Sequence, residues 1–230
     1  MKNYIFLLAA LTFSFVSCSD DDELIVTPEE RGTVTDSEGN EYKWVRIGDL
    51  CWTTSNALNG APCYDATYPS SWGDEYVFES DEDVDYMMDE YMPEYGNLMT
   101  FEDAMDSAPE GWRLPTDEDW KNLEQHLGMG KAVNAIGWRT GAAQLMMQKE
   151  GTELNMQLGG GIIWTASYSM ELQFMHFKEY GYYWTSTIDE SYKDFQAAYY
   201  RKLCFGKNAV ERRATKTSRL MSVRWVRDVK

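Results

Sequence analysis

Arg113-Leu114-Pro115-Thr116-Asp117-Glu118-Asp119-Trp120-Lys121-Asn122-Leu123-Glu124-Gln125-His126-Leu127 is the stretch of this 230-residue chain whose start, period and stop are all written in side chains. Pro115 blocks an earlier helical start, Thr116 offers a hydroxyl as N-cap, and Asp119 sits three residues on, where a capping box needs it. Trp120, Leu123 and Leu127 then recur at i, i+3 and i+7, one face of a helix. The pattern predicts a helix over 117–127, with His126 a partly buried residue beside its apolar face.

Working outward, Thr100 caps a shorter helix over 101–107, with Asp103 in the box position, and 141–149 forms a third. Toward the N-terminus, Thr33-Val34-Thr35-Asp36 and Glu41-Tyr42-Lys43-Trp44-Val45-Arg46-Ile47 alternate in character around Ser37-Glu38-Gly39-Asn40, which predicts a β-hairpin. Gly48-Asp49 makes a second turn into Leu50-Cys51-Trp52-Thr53-Thr54. Residues 59–93 have no period. Toward the C-terminus, strands are expected at 156–158, 162–164, 182–187, 196–205, 209–214 and 221–226. Gly159-Gly160-Gly161 reads as a bulge or turn between the first two. Strands first, helices in the middle and an antiparallel strand region last give an α+β class rather than alternating βαβ.

Charge is unevenly spread along the chain, whose net formal charge is −17. Ser19 to Asp119 holds 28 acids against 4 basic residues, and Lys193 to Lys230 holds 3 against 11. Net repulsion argues against nucleic acid as a partner. The expectation is that the basic C-terminal part neutralises the acidic part inside the fold.

The first residues carry an address. Met1-Lys2-Asn3 is followed by an apolar run from Tyr4 to Val16, then Ser17-Cys18 and the acidic Ser19-Asp20-Asp21-Asp22-Glu23. The run is too short for a membrane span and suits a signal peptide over 1–17. It resembles the lipobox of bacterial lipoproteins, which implies that Cys18 is lipidated and anchors the chain in the outer membrane. The acidic run resembles the Bacteroides-type signal for export to the cell surface. On this reading 18–31 is an acidic tether and 32–230 a single domain. Cys51, Cys63 and Cys204 remain, enough for one disulfide and a spare thiol, and the short loop favours Cys51 with Cys63.

Three further segments carry a family resemblance. Thr33-Val34-Thr35-Asp36 with Gly39-Asn40-Glu41-Tyr42 and Ile47-Gly48-Asp49-Leu50-Cys51-Trp52 form the first. Tyr95-Gly96-Asn97-Leu98 and Pro109-Glu110-Gly111-Trp112-Arg113-Leu114-Pro115-Thr116-Asp117-Glu118-Asp119-Trp120 form the second. Tyr183-Trp184-Thr185-Ser186-Thr187 and Ser222-Val223-Arg224-Trp225-Val226-Arg227-Asp228 form the third. In this order they resemble the Fibrobacter succinogenes major paralogous domain, FISUMP. That family is similar in turn to the C-type-lectin-like fold of formylglycine-generating enzymes, which implies such a fold here. The family often has cysteines where this chain has Ala108 and Trp225. The joint replacement implies that Trp225 fills the space of a lost bridge beside Ala108.

No catalytic constellation accompanies the resemblance. His126 and His176 lie in no metal-binding spacing, there is no nucleophile elbow, and the cysteines do not form the reactive pair of the formylglycine-generating enzymes. The chain is expected not to be an enzyme, and to need no cofactor. Asp81, Asp83 and Asp85 have the spacing of an EF-hand loop, but Tyr86 and Met92 stand where it needs Gly and Glu. A solvated acidic loop, or an irregular calcium site, remains. Aromatics are dense instead. Trp72, Tyr76, Tyr86, Tyr91, Trp164 and Tyr182 are the candidate binding residues, because aromatic faces stack on sugars and anchor protein interfaces. The expected role is a non-catalytic surface module for glycan or protein. A structural surface or appendage component, or an enzyme, are the alternatives.

Overall fold

The computed structural model describes residues 24–62, 94–164 and 172–229. The N-terminal hairpin joins β1 (Arg31–Thr35) to β2 (Glu41–Ile47), with Thr35 opposite Glu41. Asp36 shapes its turn, accepting from the amides of Glu38 and Asn40 at 2.9 Å each and from the Tyr42 hydroxyl at 2.9 Å. Gly48, at φ +62°, permits the tight turn into β3 (Leu50–Thr53). A late strand, Val226–Asp228, pairs antiparallel with β3 and closes a four-stranded sheet. The backbone is already fixed ahead of the expected boundary at Gly32. Val26 is buried in the core, and Glu29 and Glu30 exchange backbone bonds with Arg46.

Between these strands come β4 (Ala61–Pro62) with β5 (Asn97–Leu98), then β6 (Gly137–Thr140), β7 (Gly159–Trp164), β8 (Leu172–Phe177), β9 (Tyr180–Ile188), β10 (Ala197–Cys204) and β11 (Ala209–Lys216), so that the closing strand is β12. The larger sheet runs β6-β11-β10-β9-β7-β8. The three glycines lie inside β7 rather than in a turn, and the irregularity is confined to Gly160. That residue (φ +67°) and His176 (φ +66°) interrupt the ladder between the Gly159–Phe177 and Gly161–Met175 pairs. Gly160 also meets Gly181 in the single parallel bridge to β9. A side chain on Gly181 would collide with the Gln157 carbonyl, so glycine is what lets the two strands approach.

The helices are α1 (Phe101–Asp106), α2 (Asp117–His126) and α3 (Ala143–Met146), with a 3₁₀ turn at Gly130–Asn134. The capping box of α2 is complete. Thr116 Oγ1 accepts from the Asp119 amide at 3.0 Å, and the Asp119 carboxylate accepts from the Thr116 amide at 2.7 Å. The third helix is shorter than 141–149 because the Met146 carbonyl already accepts from Met156 and ends it. No described helix is long and apolar enough to cross a membrane. The architecture is α+β.

Two apolar clusters flank the larger sheet. On one face Trp120, Leu123 and Leu127 of α2 pack with Val45, Trp52, Tyr183, Leu203 and Val210, and Trp52 meets Trp120 edge-on at 5.1 Å. On the other, Trp184, Ala198 and Tyr200 pack with Phe101, Trp112, Met221, Val223 and Trp225, and Ala108 lies against the same cluster as Trp225.

The core also holds ions. Asp117 pairs with Arg201 and Arg212 at 2.7 Å each, and Glu124 pairs with Arg201 at 2.6 Å and Arg139 at 2.5 Å. These five side chains come from α2, β6, β10 and β11, and all are buried. Of the acidic part, Asp117 is neutralised in the interior by two arginines of the basic C-terminal part. A fourth buried arginine, Arg224, explains why 221–225 is not the expected strand. Its guanidinium donates to Asn56 Oδ1 and to the carbonyls of Thr53, Leu154 and Asn155 at 2.6–2.8 Å, drawing an irregular segment through the core before β12 begins.

Burial alone would raise the pKa of Asp117, but hydrogen bonds and charge from Arg212 and Arg201 prevail and hold it well below the usual carboxylate range. A folded pKa below the unfolded one gives stability that is present at neutral pH and is lost as pH falls through the carboxylate range. Urea unfolding at pH 7 and pH 3 should therefore show strong acid destabilisation. Asp117→Asn should cost roughly 3–5 kcal/mol at pH 7 and flatten the pH dependence. An unchanged slope in the variant would contradict the role given to this carboxylate.

Candidate functional site

A cleft of about 290 Å³ opens between the β2–β3 turn and α2, lined by Gly48, Asp49, Trp52, Asn122, His126 and Asp228 among others. It is where the three signature segments of the sequence meet. His126 is exposed in this wall rather than partly buried. Its acids serve the frame. Asp119 pairs with Arg113 at 2.5 Å while capping α2, Arg113 reaches Asp228 at 3.0 Å, and the Asp49 carbonyl accepts from Val229. These contacts fasten the C-terminal strand to the middle helix.

The second candidate lies on the sheet face opposite α2. Strand alternation places Trp138 of β6, Glu211 of β11, Lys202 of β10 and Tyr182 of β9 in one cross-strand row. Lys202 Nζ stands 4.0 Å from the Tyr180 ring centre and 5.4 Å from those of Tyr182 and Trp138. Lys207, from the β10–β11 turn, approaches Trp138 to 5.7 Å. Trp138 is 42 % exposed. Glu211 joins Lys202 at 3.8 Å and Arg213 at 2.9 Å.

Tyr182 itself is buried, which corrects its reading as an exposed binding ring. It is the covered end of the row, where burial, then the neighbouring Tyr200 and Tyr180, push its pKa up. Its hydroxyl stays protonated and lies 2.8 Å from Nδ1 of His176, whose pKa is pushed down by burial and by Lys202. A neutral imidazole accepting from Tyr182 fits both shifts. Trp138, Lys202 and Lys207 are the residues that the pattern reading missed. Gly137-Trp138-Arg139-Thr140 alternates exposed and buried, but four residues with a buried arginine give no apolar signature of a strand.

Of the other expected site residues, Cys18, Trp72, Tyr76, Tyr86 and Tyr91 lie outside the described residues, as do Asp81, Asp83 and Asp85. Trp164 is described in its backbone alone, paired with Leu172. Cys51 carries a buried thiol, free among the described residues, and Cys63, its expected partner, lies outside them. Strand β3 holds Cys51 inward, with Arg227 3.8 Å from its sulfur. Arg227 in turn lies about 5 Å from both the Trp44 and Trp112 ring centres. Among the described residues, no group of His, Cys, Asp and Glu could hold a metal ion.

The sequence matches the Fibrobacter succinogenes major domain over residues 45–227. The chain belongs to this family. No curated protein and no solved structure matches it. The matched span of this FISUMP chain runs from β2 to β12 and so contains both the cleft and the aromatic–lysine row.

The two kinds of tryptophan should separate on mutation. Trp138→Ala should shift unfolding by no more than about 0.5 kcal/mol, as for a surface change. Trp184→Ala, at a fully buried ring, should cost roughly 3–5 kcal/mol. Thermal or urea unfolding of the two variants checks this, and equal losses would contradict the surface role of Trp138.

Proposed function

We propose that this FISUMP protein is a non-catalytic binding module of C-type-lectin-like fold, which takes glycan or protein ligands at the cell surface. It is carried there by lipid on Cys18 and faces outward from the outer membrane on its acidic tether. The observation that supports binding is the partly exposed Trp138, with the ammonium groups of Lys202 and Lys207 within 6 Å of its ring centre and a sheet beneath it. Aromatic rings with little conformational freedom to lose are efficient anchors. The non-catalytic reading draws support from the described acids. Asp117, Asp119 and Glu124 are all engaged by arginines that hold the fold, which leaves them poor proton carriers.

Two measurements test the proposal. Cys18→Ala should move the protein from the membrane fraction to the soluble fraction, since one buried methylene contributes roughly 0.8 kcal/mol and several acyl chains anchor essentially permanently. Retention of the variant in membranes would contradict the anchor. On an array of glycans and surface proteins the purified chain should retain a defined set of ligands, and Trp138→Ala should weaken their capture. Formation of polymers with no retained ligand would instead favour an appendage component.

A further inference from the structure

We propose that the Trp138–Lys202–Lys207 row recognises an anionic polysaccharide, one whose sugar rings carry carboxylate or sulfate groups. This names the ligand class of the binding reading above and rests on it. The juxtaposition is chemical. An exposed indole stands within 6 Å of two ammonium groups, so an apolar face and two cations occupy the span of a single ligand unit. A uronic acid or sulfated sugar offers the same pair in one ring, a C–H face for the indole and an anionic group at its edge. An acidic peptide divides these features between separate residues and fits the span less well.

The cations are fixed in place. Lys202 is held over Tyr180, Tyr182 and Trp138 and tied to Glu211, which lowers the entropy lost when a ligand arrives. Arg213, paired with the buried Glu211, extends the positive edge on the same sheet face. The face is thus positive on a chain whose net charge is −17. The remainder of the molecule repels polyanions and leaves this row as the favoured approach. Binding should weaken steeply with salt, because ligand anions exchange for counterions.

The test uses the full chain in detergent with polygalacturonate, its neutral methyl ester, laminarin and poly-glutamate as probes, read by isothermal titration at two salt concentrations. Polygalacturonate should bind, with a loss of roughly tenfold or more for Trp138→Ala and for the Lys202→Gln/Lys207→Gln pair. Circular dichroism of the same variants should match the parent, so that lost binding is not lost folding. Binding of laminarin or the ester, insensitive to the lysine pair, would overturn the anionic class while keeping a glycan-binding module. Poly-glutamate binding as well as polygalacturonate would overturn glycan selectivity. Binding of none of the four would overturn this inference, and the array described above then decides whether the broader reading stands.

Discussion

The fold depends on bringing two carboxylates of one helix, Asp117 and Glu124, into the interior with three arginines from neighbouring strands. Isolated, either carboxylate would be prohibitively costly to bury. Together with Arg139, Arg201 and Arg212 they bind α2 to β6, β10 and β11 through short, directional contacts. The apolar residues of the same helix then have only one way to face, toward Trp52, Tyr183 and Val210. The pairs specify how α2 lies on the sheet. Apolar packing supplies the larger share of the free energy.

This arrangement has a consequence for the surface. With α2 and its ions on one face of the sheet, the opposite face is left to Tyr182, Lys202 and Trp138. Its far end is covered by α1 and the irregular segment at 221–225, and its β6 end is not. Arg224 holds that segment in place by donating to carbonyls at the end of β3 and in the loop at 154–155. The open end of the sheet thus follows from how the charged groups are disposed in the core.

Much of this was legible in the sequence. The hairpin, both capped helices, the turn at Gly48 and the strands around Tyr183 and Gly206 follow from periodicity and turn chemistry, which act locally. The charge asymmetry foretold pairing between the two parts inside the fold, but not that Asp117 would be its buried acceptor. Glu124 lies on the helix face of Trp120 and Leu127, yet an acid at such a position reads as solvated until its partners on distant strands are known. The same holds for Arg224, whose partners are backbone carbonyls that no side-chain pattern encodes. Of the binding site, Tyr182 was found in the right place with the wrong exposure, and Trp138 was missed because its strand is short and carries a buried arginine.

A double-mutant cycle on Glu124 and Arg201 tests the central claim most directly. Glu124→Met and Arg201→Met should each be strongly destabilising in urea unfolding at neutral pH, since each strands a buried charge. The double variant should be less destabilised than the sum of the two, by an amount in the range of about 0.5–3 kcal/mol found for residues in one network. Losses that add within about 0.3 kcal/mol would mean that the two groups do not act as a pair, and would contradict the account of how the helix is held on the sheet.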